Sequence, residues 1–186
     1  MTGSRVWAPP FVVAVSRDEL HRFSKAPCEE IELVAGLRVR GDAHAGTLVQ
    51  HRSRVRREPN QPNLRQVHLI QAALLDEAGA AGHDLGPGSL GENVLTGDVD
   101  LLALPEGTRL RMGEAVVRVT GLRNPCRQIE EHSPGLLRLV VRRGDSVGIE
   151  RRAGVMGVVE VSGTVRAGDT IGVDLPPGPH TPLAPV

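Results

Sequence analysis

Apolar residues in this chain come in short runs, and almost every run is stopped by glycine or proline. Residues 11–15 form a continuous apolar stretch of strand length, the pattern of a strand buried on both faces. Residues 31–34 alternate apolar and polar before Gly36, as a half-buried strand does. Residues 67–70 predict another strand, which runs into residues 71–78. That second stretch is rich in strong helix formers and meets Gly79 and Gly82, so it predicts the clearest and longest helix. Residues 41–46 form a loop bounded by glycines, and 86–91 form a Gly/Pro turn cluster leading to Glu92, Asn93 and a short apolar run at 94–95.

The second half contains a repeated phrase. Residues 107–119 resemble 163–173: each is a strand, a Gly-acid turn and a strand, which predicts two hairpins. Between them, residues 127–131 suit a short helix. Short strands, frequent glycine turns and one or two helices predict a mostly-β chain closed into a barrel or sandwich. A βαβ arrangement would need alternating helices that the pattern lacks. The expected organisation is one domain over 11–174, a flexible start at 1–10, and a loose proline-rich tail at 175–186. Residues 51–57, with four arginines in six positions, cannot pack in a core. They read as a solvated loop, or as a clamp for phosphate.

Composition narrows the function classes. Twenty-two basic and 22 acidic residues leave no net charge, and Trp7, Phe11 and Phe23 are too few for a base-stacking platform. Nucleic acid is therefore not an expected partner. A membrane is not expected either, since no apolar run approaches the ~18 residues of a spanning helix. Two cysteines build no disulfide framework, and the first ten residues lack a signal-peptide pattern, so a cytoplasmic location is expected. Lys25 is the only lysine, and any Schiff base would have to form there.

Cys126 is the leading candidate for chemistry. It follows an expected strand and the fixed backbone of Pro125, and it precedes the short helix. Arg123 and Arg127 flank it, and both cationic neighbours and a helix N-terminus favour thiolate. A lone cysteine also reads as a small buried apolar residue. Cys28, before Glu29 and Glu30, has neighbours that raise a thiol's pKa and reads as structural. Asp42 and His44, and likewise Glu92 and Asn93, lie in tight turns, where such residues serve backbone geometry or a ligand. Without a second His or Cys at finger spacing, a zinc site is weakly supported.

Taken in order, four phrases resemble the MOSC family, the domain type at the C-terminus of molybdenum-cofactor sulfurases. They are Gly41-Asp42-x-His44-Ala45-Gly46, residues 63–70, Gly88-Ser89-Leu90-Gly91-Glu92-Asn93 and Arg123-Asn124-Pro125-Cys126. Phe23-Ser24-Lys25 is similar to the family's N-terminal segment, and the insertion at 47–62 departs from its shortest members. The resemblance implies a closed or partly open β-barrel in which Cys126 binds a molybdenum cofactor (molybdopterin) or carries sulfur as a persulfide. By matching position, Lys25, His44, Arg65, Glu92, Asn93 and Arg123 would bind the cofactor, and Cys126 would be both the catalytic residue and the metal ligand. Three activities follow: reduction of N-hydroxylated substrates, sulfur carriage, and non-catalytic cofactor binding or delivery. A small-molecule ligand is the expected partner, with a separate desulfurase or reductase beside it.

Overall fold

The computed structural model describes residues 9–20, 22–43, 63–144 and 148–186. His44 and the arginine-rich stretch 51–57 lie outside these. The strands are β1 (Phe11–Arg17), β2 (Ala26–Cys28), β3 (Glu30–Val34), β4 (Arg38–Val39), β5 (Val67–Gln71), β6 (Val94–Gly97) and β7 (Arg109–Met112). They continue as β8 (Ala115–Leu122), β9 (Val141–Gly144), β10 (Gly148–Arg151), β11 (Val155–Val161), β12 (Gly163–Arg166) and β13 (Ile171–Asp174). Among the described residues three α-helices interrupt them: α1 (Ala72–Ala80), α2 (Arg127–His132) and α3 (Leu136–Val140). The molecule is thus mostly β, with α1 the longest described helix.

Eight strands make one sheet in the order β13-β7-β8-β11-β5-β6-β1-β2, while β12-β3-β4 and β9-β10 form smaller sheets. Neighbours pair antiparallel except β5 and β6, which run parallel because α1 provides the crossover between them. Of the expected closed or partly open barrel, the closed form is not what the strands make. Phe11 meets Thr170 in one isolated bridge, and Val12 N–H donates to Asp169 O at 2.8 Å, but no continuous ladder joins the two regions. The reason lies in the second copy of the repeated phrase. The first copy is a true hairpin, β7–β8, with Gly113 in its turn. In the second, the turn is present: the Asp169 carboxylate accepts from Arg166 N–H at 2.8 Å. Its two strands part there, β12 joining β3 and β13 joining β7, so it is a corner between sheets rather than a hairpin. The count of helices also exceeds the expected one or two, since α3 follows α2 directly.

The central strands are buried on both faces, and successive residues feed two separate cores. Leu69 and Val94 point into the core shared with the β3-β4-β12 sheet (Ile31, Leu33, Val39, Val165). Ile70 and Leu95 point the other way, into a core closed by Leu74 of α1, Ile129 of α2 and Leu136 and Val140 of α3. Each such fully buried side chain contributes about 1.5–3 kcal/mol. The segment after Leu175, read as a loose tail, is tied down instead. Thr181 O accepts from Glu106 N–H at 2.9 Å, Ala184 O accepts from Leu122 N–H at 2.8 Å, and Leu183 packs on the first core. No described helix is long and apolar enough to cross a membrane.

Candidate functional site

The site is built where the ends of β5, β6 and β8 meet the segment before β2. The glycine-rich turn 86–91 fixes that segment. At Gly88 (φ +81°) a Cβ would lie 2.1 Å from Lys25 O, and at Gly91 (φ +78°) one would lie 2.5 Å from Phe23 O. Only glycine permits both the left-handed backbone and this approach. Lys25 N–H donates to Gly88 O at 2.9 Å, and the Ser24 hydroxyl donates to Ser89 O at 2.9 Å. The Glu92 carboxylate, 1% exposed, turns back on the same turn and accepts from Gly88 N–H at 2.6 Å and Leu90 N–H at 3.1 Å. Burial raises its pKa against the pull of those amides.

Asn93 ties three segments together. Its Oδ1 accepts from His68 N–H at 3.2 Å, and its Nδ2 donates to Ser16 O at 3.2 Å and to Asp42 Oδ2 at 2.9 Å. Asp42 Oδ2 also accepts from Lys25 Nζ at 2.6 Å, with both side chains nearly out of solvent. Burial nevertheless lowers the Lys25 pKa, outweighing Asp42, and the Arg38 cation adds to the lowering. Burial also brings Arg38 down to about 10, with Asp42 opposing. His68 is buried on β5 with Nε2 donating to Ala153 O at 2.8 Å. Burial first, then the Arg123 cation, hold its pKa well below 6.5, so the ring is neutral.

Arg123 leaves the end of β8 with its N–H on Gly154 O at 3.0 Å, and its guanidinium lies 5.7 Å from the Phe23 ring centroid. Its Nη1 is shielded from solvent and has no hydrogen-bond partner. Burial lowers its pKa, Cys126 and Glu92 oppose that, and Arg65 adds to it, so these groups share one neighbourhood. Arg65 itself is half-buried on the segment entering β5, its N–H on Asn63 Oδ1 at 3.0 Å. Cys126 is exposed at the N-cap of α2, its Sγ 3.5 Å from Gln128 Oε1. Asn124, between them, is steadied by Arg151 Nε at 3.1 Å. Arg127 is not part of this group, since its guanidinium pairs with Glu131 at 2.9 Å in solvent. Cys28 has its pKa raised, chiefly by burial and only weakly by Glu30, and Sγ donates to Glu30 O at 3.3 Å.

Six of the seven residues proposed from sequence are described, and the structure gathers them in two linked groups. Lys25 and Asn93 meet at Asp42, whereas Arg123, Arg65 and Cys126 cluster at the end of β8. Glu92 lies between, its charge felt by both Lys25 and Arg123. Sequence reasoning offered Asp42 only as a turn residue or a ligand group, and it did not select Arg38, His68 or Phe23 for this role. His68 carried a signal, as a polar residue inside an otherwise apolar strand run. Among the described residues, no group of three or more His, Cys, Asp or Glu side chains could enclose a metal ion.

Comparison with known proteins agrees with this architecture. The YuaD protein from Bacillus subtilis superposes with a TM-score of 0.71 over 89% of this chain and 96% of its own, at 23% identity. YiiM from Geobacillus stearothermophilus gives 0.60 over 89% and 75% at 13% identity. YiiM from Escherichia coli gives 0.58 over 92% and 73% at 18% identity. At these identities the likeness establishes a shared fold. No curated protein sequence matches the chain. The model of the MOSC domain matches residues 41–172, which span β5 to the start of β13 and include both glycine turns and Cys126, and the chain therefore belongs to the MOSC domain family.

Proposed function

We propose that this protein holds a molybdenum cofactor through the Cys126 thiolate and reduces N-hydroxylated substrates with it. The observation that carries this reading is Arg123 Nη1: a buried guanidinium nitrogen without an acceptor, beside an exposed thiol. A buried donor left unpaired costs about 1–3 kcal/mol, more when charged, and an anionic ligand removes that cost. The residues present fit the group. Soft thiolate sulfur suits molybdenum, and the Arg123 and Arg65 guanidinium groups suit a phosphate. When bound, the cofactor supplies two-electron redox chemistry at its metal.

The protein's own part is to position and balance charge. Phe23 covers one face of Arg123, leaving the in-plane donors for an anion. Neutral His68 holds Ala153 O beside the Gly154 carbonyl that anchors Arg123, without adding a cation. The Asp42–Lys25–Asn93 knot keeps β1, β5 and β6 in register beneath. The test is metal analysis of protein produced with ample molybdate. Wild type should hold molybdenum near one atom per chain, and Cys126→Ser should lose it. Arg123→Ala should weaken binding of a phosphorylated pterin by about 1.5–3 kcal/mol while still folding. No molybdenum in wild type would sink the reading. A second reading rests on the exposure of Cys126: the thiol accepts sulfane sulfur from a separate desulfurase and carries it as persulfide. Persulfide on Cys126 in metal-free protein is the result that reading expects.

A further inference from the structure

One buried cation has no part in the reading above. Arg38, on β4, is 6% exposed, and its Nε is out of solvent with no hydrogen-bond partner. The adjacent carboxylate, Asp42, already accepts from Lys25 Nζ at 2.6 Å and Asn93 Nδ2 at 2.9 Å. A guanidinium does not escape burial by losing its proton, and an apolar side chain of similar volume would fill the place without that cost. Other arginines of the fold meet carboxylates: Arg109 and Arg118 share Glu160, Arg111 pairs with Asp174, and Arg152 pairs with Glu77. Only Arg38 and Arg123 carry buried side-chain polar atoms left unpaired among the described residues. Arg38 stands at the Lys25–Asp42 end, and Arg123 stands at the Cys126 end.

We propose that Arg38, with Lys25, forms a second anion subsite that takes a phosphate-class group, separate from the one at Arg123 and Cys126. The orphan atom is Nε, and the Nε edge of a guanidinium matches two oxygens of a tetrahedral oxyanion. The proposal rests on the preceding reading only in treating both subsites as parts of one ligand-binding region.

Arginine Nε–Hε resonances of nitrogen-15-labelled protein test this directly, assigned with Arg38→Met and Arg123→Met. Inorganic phosphate is titrated at constant ionic strength, with chloride as the control. The Arg38 resonance should shift saturably, and the shift should persist in Arg123→Met. No shift in wild type, or a shift that vanishes in Arg123→Met, overturns the second subsite. Pyrophosphate is the second arm. Binding at least tenfold tighter than phosphate, with both arginines shifting, supports the subsite as a second group of one ligand. Equal affinity with a saturating Arg38 shift supports it as a site for free phosphate. Thermal melts confirm that both variants fold, and the wild-type titration decides the matter if Arg38→Met does not. The outcome is independent of molybdenum: an intact Arg38 response in protein that never loads the metal retires the cofactor reading and leaves the subsite standing.

Discussion

Replacing Asp42 by alanine should be among the most damaging single changes in this molecule. Asp42 is 4% exposed and holds Lys25 Nζ at 2.6 Å and Asn93 Nδ2 at 2.9 Å through one oxygen. Without it, Lys25 and Arg38 repel each other inside the protein, and among the described residues only the weaker pull of Glu92 on Lys25 remains. Removing one partner of a buried ion pair costs about 3–5 kcal/mol, and the Asn93 N–H that loses Asp42 adds to that, although Ser16 O still holds the other donor. The penalty has a ceiling, because Lys25 can shed its proton. Moving its ordinary pKa of 10.5 down to neutrality corresponds to about 5 kcal/mol at 1.36 kcal/mol per pH unit. The expected loss is therefore about 4 kcal/mol. For a chain of this length that lowers Tm by roughly 10 °C, at about 2–4 °C per kcal/mol. Equilibrium unfolding in urea measures it, with an unchanged m-value showing that the transition is comparable. The sharper test is a double-mutant cycle: Lys25→Met should recover part of the stability in the Asp42→Ala background while destabilising wild type. A loss under about 1 kcal/mol for Asp42→Ala, or no recovery by Lys25→Met, would refute the argument that charge burial governs this spot.

His68 gives a pH dependence of definite sign. Its imidazole is held neutral in the fold, well below 6.5, so the unfolded chain takes up the proton first. Stability present above pH 6.5 should fall as pH drops through that value, by up to about 1.4 kcal/mol per pH unit. His68→Gln should flatten that part of the profile, and identical urea midpoints against pH for the two proteins would remove His68 as the cause. Of the two thiols, exposed Cys126 should alkylate faster at neutral pH than Cys28, whose pKa burial raises; mass-resolved labelling in the reverse order would contradict this. Gly88→Ala should cost about 2–4 kcal/mol, combining left-handed backbone strain with the clash on Lys25 O. Gly82→Ala, at φ +90° but with open space around it, should cost only about 1–2 kcal/mol, and equal losses in thermal melts would show that crowding at Gly88 is not the issue.

Much of the local structure was legible from residue patterns. The strand at 11–15, the helix after Gln71 and the short helix after Cys126 all follow from apolar spacing and helix formers, which act over a few neighbours. The corner at Gly168 was not, because a Gly-acid turn looks the same whether its strands pair with each other or part to different sheets. The difference lies in long-range partners, β3 for one strand and β7 for the other. The pinned tail escaped for a similar reason: its prolines suggest looseness, yet carbonyls of Thr181 and Ala184 accept bonds that need no N–H from proline. In the site, Cys126 and Arg123 stood out through their shared phrase, but Arg38 carries no sequence mark. Its importance comes from burial beside Asp42, which only the folded chain displays.

The placement of β1 has a consequence for how the chain reaches this structure. One of its edges pairs with nearby β2 over Val15–Arg17 only, while the other edge and the Phe11–Ala14 end find their partners in distant β6 (Phe11 opposite Gly97, Val15 opposite Val94) and at the bridge to Thr170. During synthesis this strand therefore emerges long before β6, and the N–H and C=O groups of the edge that β6 covers stay open to other chains. Such distant pairings make for slow folding, since loop closure must precede the contacts that reward it. Overproduction should accordingly favour inclusion bodies at high temperature and high expression rate, and slower synthesis in the cold should shift the yield toward folded protein.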